Sequence, residues 1–106
     1  MKIKFYRGDD HQEKFRFKTF TGTIENMFFT VKCADKCPRI KKRLGDGIEL
    51  IEGWYYLTFL PSDTNDLMCN LEMEYDIEII TGGKKFTVQK GIFVLEEDIT
   101  TPDCEV

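Results

Sequence analysis

Asn70-Leu71-Glu72-Met73-Glu74-Tyr75-Asp76-Ile77-Glu78-Ile79-Ile80, followed by Thr81-Gly82-Gly83-Lys84-Lys85 and then Phe86-Thr87-Val88-Gln89-Lys90-Gly91-Ile92-Phe93-Val94-Leu95, opens the stretch from Asn70 to Thr100 whose reading decides the fold. Leu71, Met73, Tyr75, Ile77 and Ile79 take every second position, and Asn70, Glu72, Glu74, Asp76 and Glu78 fill the gaps. Successive side chains of an extended chain point to opposite faces, so this pattern predicts a strand with one buried and one wet face. Gly82 and Gly83 accept the positive backbone angles of a tight antiparallel reversal, and the chain returns through Phe86 and Val88. A hairpin of this kind needs further strands to cover its apolar face.

The composition allows them. A chain of 106 residues that is 42% hydrophobic reads as one domain, residues 1–106, with a core of its own and a polar tail that frays over about 101–106. Nine Phe, four Tyr and one Trp favour strands, and alanine is almost absent, which disfavours helix. A formal net charge of -4 argues against a general nucleic-acid binder, because phosphate neutralisation is the main source of that affinity. No apolar run approaches the roughly 20 residues of a membrane-spanning helix. The opening Met1-Lys2-Ile3-Lys4 is too charged for a signal peptide, so the reading is a soluble, unexported chain with no membrane partner.

Outward from the hairpin, Lys2 to Arg7 alternates as a first, edge strand. From Glu13 to Thr19, Lys14, Arg16 and Lys18 alternate with Phe15 and Phe17, a second strand whose cationic face is expected to lie beside Glu72, Glu74 and Glu78. Met27 to Cys33 alternates as a third strand. Ala34 to Gly47 holds a proline and two glycines and is expected to be a surface loop, with room for a short edge strand around Ile40. Ile48 to Ile51 is a short apolar piece, and Trp54 to Leu60 a core strand. Pro61 to Leu67 is expected to be a loop or single helical turn. Seven or eight short strands spaced by turn signals predict an all-β, antiparallel β-sandwich or a small barrel.

Chemistry-bearing residues are sparse. Cys33, Cys37, Cys69 and Cys104 offer four thiolates, but the spacing lacks the second Cys-x-x-Cys pair of a zinc site, and Cys33 falls on an inward position as a small hydrophobe. No metal and no cofactor are expected. His11 is the lone histidine, and a catalytic role needs a partner such as Ser62 brought close. Lys36, Arg39, Lys41, Lys42 and Arg43 form one basic cluster, able to grip phosphate or, better suited to the negative total charge, an acidic partner surface, with a solvated loop as the simpler account. Trp54 and Tyr56, with Phe28, make an apolar contact patch if exposed together, and core packing is the simpler account of them.

The order of signals resembles a family of small immunoglobulin-like domains of tailed bacteriophages, found in the baseplate upper protein and related tail accessory proteins. Arg7-Gly8-Asp9-Asp10 with Phe15-Arg16-Phe17 resembles the family's opening. Trp54 to Thr64 resembles its aromatic strand ending in an Asp-Thr turn, Glu74-Tyr75-Asp76-Ile77 its Tyr-Asp-Ile strand, and Thr87-Val88, Gly91-Ile92-Phe93-Val94 and Asp98-Ile99-Thr100 its closing arm. The likeness spans nearly the whole chain through short motifs. It departs where Asn70-Leu71-Glu72 stands in place of a glycine and where the loop after the third strand is basic and carries cysteine.

The resemblance implies an immunoglobulin-like sandwich and a non-catalytic structural or docking module of a phage or prophage tail. Its partners would be other tail or baseplate proteins, or itself, and it would be assembled in the bacterial cytoplasm into the virion. The competing expectation is a small barrel that binds single-stranded nucleic acid or carbohydrate through exposed aromatics and the basic loop. An enzyme or zinc protein stands third.

Overall fold

The computed structural model describes residues 2–17, 24–33, 38–65, 67 and 72–96. Among them run eight strands and one helical turn: β1 (Lys2–Tyr6), β2 (His11–Phe15), β3 (Asn26–Lys32), β4 (Pro38–Leu44), β5 (Gly47–Ile51), β6 (Trp54–Phe59), α1 (Pro61–Thr64), β7 (Glu72–Thr81) and β8 (Lys84–Glu96). The expected frayed end at 101–106 lies outside the described residues.

The deciding hairpin forms as the alternation predicts. In β7, Met73, Tyr75, Ile77 and Ile79 are buried while Glu72 and Glu74 are exposed. Gly82 and Gly83 turn the chain with φ of 59° and 76°, the left-handed angles that a two-residue reversal needs. β7 then pairs with β8 from Thr81↔Lys84 to Glu72↔Val94, with one register shift near Ile77/Glu78.

All eight strands join one mixed sheet in the order β1-β8-β7-β3-β4-β5-β6-β2. The expectation of a purely antiparallel arrangement is corrected at two places, since β1 runs parallel to β8 and β4 parallel to β5. The second of these is only two residue pairs long, Arg43↔Gly47 and Leu44↔Ile48. It is closed by a tight turn in which Arg43 N donates to Asp46 O at 3.0 Å and Gly45 N to Ile48 O at 2.8 Å. Gly47, at φ 98°, is required there, because a Cβ would run into the Lys42 side chain.

The sheet curls until its two edges face each other, nearly closing as a barrel. Phe5 of edge strand β1 stacks on His11 of edge strand β2, ring centroids 4.4 Å apart and nearly parallel. Phe5 also meets Phe59 and Phe93, so one aromatic cluster links both ends of the strand order. Phe29, Tyr75, Ile77 and Leu57 fill the same interior and are almost wholly buried. The chain between β6 and β7 reaches back to the β1–β2 turn: Gly8 N donates to Thr64 Oγ1 at 2.8 Å, and Arg7 Nη1 to Leu67 O at 3.4 Å. In the helical turn, Asp63 Oδ2 accepts the otherwise orphaned Leu60 N–H at 2.7 Å.

Two further expectations are corrected. Residues 38–44 form strand β4 within the sheet, paired to β3 from Phe28↔Arg43 to Lys32↔Pro38, where the composition pointed to a loop with at most an edge strand. Burial of Ile40 and a ladder of five residue pairs with β3, shifted in register between Val31 and Lys32, outweigh the poor strand propensity of a lysine- and arginine-rich run. The second strand is His11–Phe15, and its neighbour is β6, from His11↔Phe59 to Phe15↔Tyr55, so Lys14 and Arg16 do not face the acidic residues of β7. The latter have Lys85 and Lys90 of β8 alongside instead, Asp76 opposite Lys90 and Glu78 ion-paired with Lys85 at 2.8 Å.

Candidate docking surface

The outward positions of β6 are Trp54, Tyr56 and Thr58, since Tyr55, Leu57 and Phe59 point into the core. Core packing is therefore not what places Trp54 and Tyr56, which are half-buried on the outer face. Register brings β2 alongside, with Lys14 opposite Tyr56 and Gln12 opposite Thr58. On the other flank β5 sets Ile51, 47% exposed, opposite Trp54, and Glu49 opposite Tyr56.

The aromatic pair gathers two cations. Lys14 Nζ lies 4.4 Å from the centre of the Trp54 ring and 5.8 Å from that of Tyr56, and the Arg16 guanidinium carbon lies 4.4 Å from the Trp54 centre. Attraction to an indole quadrupole is worth about 0.5–1 kcal/mol for an exposed cation. Among the described residues no ion pair joins Lys14 or Arg16 to a carboxylate. Two like charges thus lie against one ring, Lys14 from β2 and Arg16 from the residue just past its end.

Of the basic cluster read from the sequence, Arg39, Lys41 and Arg43 take alternate, exposed positions along β4 and so share its outer face, while Lys42 turns to the other side. Lys42 faces inward and is ion-paired with Asp63 at 2.7 Å, its side chain only 11% exposed, so it fastens β4 to the helical turn. Lys41 is exposed on the outer face opposite Thr30. Arg43 is exposed and reaches Asp46 at 4.0 Å, and Arg39 is exposed four residues earlier on the same strand. Lys36 lies outside the described residues. Trp54 and Tyr56 are brought together, and the cations that join them are Lys14 and Arg16. These two were visible in the sequence as the cationic face of their strand, but nothing local said which strand they would lie against.

Among the described residues His11 makes no hydrogen bond with Ser62. Its Nε2 shares a hydrogen bond of 2.8 Å with Glu13 Oε1, and its ring is spent on Phe5, while Ser62 is exposed on the helical turn. Among the described residues no three His, Cys, Asp or Glu side chains converge as metal ligands. Cys33 is a half-buried free thiol packed against the core, and Cys37, Cys69 and Cys104 lie outside the described residues. No described helix is long and apolar enough to cross a membrane.

What fold and face define together is a small all-β domain carrying an aromatic surface crowned by two cations. No protein-family model and no curated protein sequence matches the chain. Among solved structures, a protein described as a glycoside hydrolase from Bacteroides vulgatus ATCC 8482 superposes with a TM-score of 0.53 at 19% identity. The match covers 96% of this chain and 17% of that one, so this chain spans a small fraction of that protein's length. At this identity the likeness is one of fold.

Proposed function

We propose that the chain is a non-catalytic docking module with an immunoglobulin-like sandwich architecture, serving in a phage or prophage tail and engaging an acidic partner through the Trp54 face. The sandwich reading is supported by the two-pair junction between β4 and β5. Cut there, the sheet falls into a layer β1-β8-β7-β3-β4 and a layer β5-β6-β2, which the Phe5, Phe59 and Phe93 cluster holds face to face. The tail assignment is supported by the resemblance of the Arg7-Gly8-Asp9-Asp10, Trp54–Thr64 and Glu74–Ile77 segments to the phage domains.

The observation that carries the docking role is the pair Lys14 and Arg16 held over Trp54 without a described carboxylate partner. Preordered cations on an aromatic base suit an acidic protein surface, because the ordering cost is met before the partner arrives. The test is incorporation. Particles sedimented from the source cells carry the chain, and immunogold labels their tails. The double variant K14E/R16E folds but is left in the supernatant. Particles that lack the native chain overturn the tail assignment, and a double variant incorporated at the native level overturns the docking face.

A second reading has its own support: the fold neighbour is a stretch of a protein described as a glycoside hydrolase, and Trp54 and Tyr56 lie side by side as sugar-stacking rings do. Against stacking at this place, Lys14 and Arg16 already lie over Trp54.

A further inference from the structure

A groove of about 460 Å³ crosses the outer face of β3, β7 and β8, away from Trp54. Its side chains are Thr30 and Lys32 from β3, Glu74 and Asp76 from β7, and Lys90 and Ile92 from β8. Cross-strand register sets them in two rows, Thr30–Asp76–Lys90 and Lys32–Glu74–Ile92. The volume lies within the range of about 300–1,000 Å³ in which small-ligand sites fall.

One atom of a lining residue lacks a partner among the described residues. Asp76 Oδ1 is closed off from solvent and accepts no hydrogen bond, although a carboxylate oxygen in that situation is costly and calls for an explanation. A carboxylate only accepts, so the missing group is a donor. The two lysines and two carboxylates balance in formal charge, which gives no advantage to an anion or a cation. Around the groove donors (Lys32, Lys90), acceptors (Glu74, Asp76) and a hydroxyl that does both (Thr30) lie one strand apart. Hydroxyl groups, each donating and accepting through one oxygen, suit a lining in which donors and acceptors lie side by side without net charge. Ile92 and the lysine stems supply apolar surface for the carbon skeleton between them.

The geometry points to a binding site for a neutral saccharide on the β3–β7–β8 face, with a sugar hydroxyl donating to Asp76 Oδ1. Because Asp76 Oδ1 is closed off in the free chain, the proposal requires a neighbouring side chain to move on binding, and Lys90, exposed and directly opposite Asp76, is the one assigned that role. The site is separate from the Trp54 face and independent of the tail assignment, so either survives the failure of the other.

The test is titration of the isotope-labelled full chain with cellohexaose, xylohexaose, mannohexaose and maltohexaose, followed by amide shifts. Saturable shifts at Thr30, Asp76, Lys90 and Gly91 with at least one sugar are expected. D76N, which keeps the shape of the side chain, weakens binding tenfold or more while the amides of Phe29 and Ile77 hold their native positions. K90M, which keeps the stem and loses the donor, weakens it less. Three results overturn the proposal: no shift with any of the four sugars, shifts centred on Trp54 and Tyr56, or a D76N chain that binds as the native one does. Shifts at the groove with a lysine-rich peptide but not with the sugars overturn it too, in favour of a peptide ligand.

Discussion

The outer face of β2 and β6 and the outer face of β3, β7 and β8 are built from the same kinds of residue and do opposite things with their charge. On the first, Lys14 and Arg16 have an aromatic ring beneath them and no described carboxylate. On the second, Glu78 is paired with Lys85 at 2.8 Å, and Asp76 stands opposite Lys90. One face holds its positive charge without a described carboxylate partner, while the other sets lysines against carboxylates and, among the described residues, leaves one oxygen of Asp76 without a donor. Strand partnership decides the difference: the same cationic β2 beside β7 would have been neutralised there.

Both faces stand on one core, and the largest effects test that. Ile77 backs the groove and Leu57 backs the Trp54 face, each 1% exposed. I77A and L57A should each cost about 2–5 kcal/mol of unfolding free energy, in a single urea transition followed by circular dichroism. Two separate transitions, or one variant costing under about 1 kcal/mol, would break the picture of a single curled sheet.

The contrast between spent and unspent charge recurs inside β4 and predicts the next largest effect. Asp63 holds both Lys42 and the Leu60 N–H, so D63A should lose about 1–3 kcal/mol. D46A, which removes the 4.0 Å contact to exposed Arg43, should change stability by less than about 0.5 kcal/mol. Equal losses in thermal melts would show that the burial of the Lys42–Asp63 pair carries no weight.

Smaller still are the two faces themselves. E78Q should lose up to about 1 kcal/mol at low salt and nothing at 1 M salt, where screening reaches about 3 Å. K14M should lose about 0.5–1 kcal/mol with weaker salt dependence, and with a change in Trp54 fluorescence. If K14M were as salt-sensitive as E78Q, Lys14 would have a carboxylate partner and the face would not be the charged surface described.

The smallest effect is read only at high pH. Burial holds the Tyr75 phenol above its ordinary 10.0; the hydrogen bond from Gln89, 3.0 Å long, pulls it down, and the Glu13 carboxylate pushes it up. Burial raises Tyr55 in the same direction. A proton held more tightly in the folded state stabilises the fold fully below the unfolded value near 10, and this stability is lost as pH rises through the folded values. Ultraviolet titration should show two phenols ionising late, together with loss of structure. Full ionisation of every tyrosine at pH 10 in a chain that stays folded would contradict the burial of Tyr75 and Tyr55.

The strands were legible where side chains alternate. Met73, Tyr75, Ile77 and Ile79 lie buried as their spacing requires, and Gly82 and Gly83 turn where paired glycines predict. Residues 38–44 were not, because Lys41, Lys42 and Arg43 interrupt any two-residue period. Of the candidate site, Trp54 and Tyr56 were found as residues, but their place on the outer face was not, since alternate residues of an aromatic strand are apolar on both sides.

Local sequence by itself determined the all-β class, the β7–β8 hairpin and the inward set of large side chains, because a period of two and paired glycines act over a few residues. Only the tertiary structure decided that β2 lies on β6 rather than β7, that Lys42 turns inward to Asp63, and that Lys14 and Arg16 meet Trp54. Those outcomes depend on which strand edges meet across long stretches of chain, and that choice is made by the shared burial of Phe5, Phe29, Phe59 and Phe93, a property of the assembled core and of no single segment.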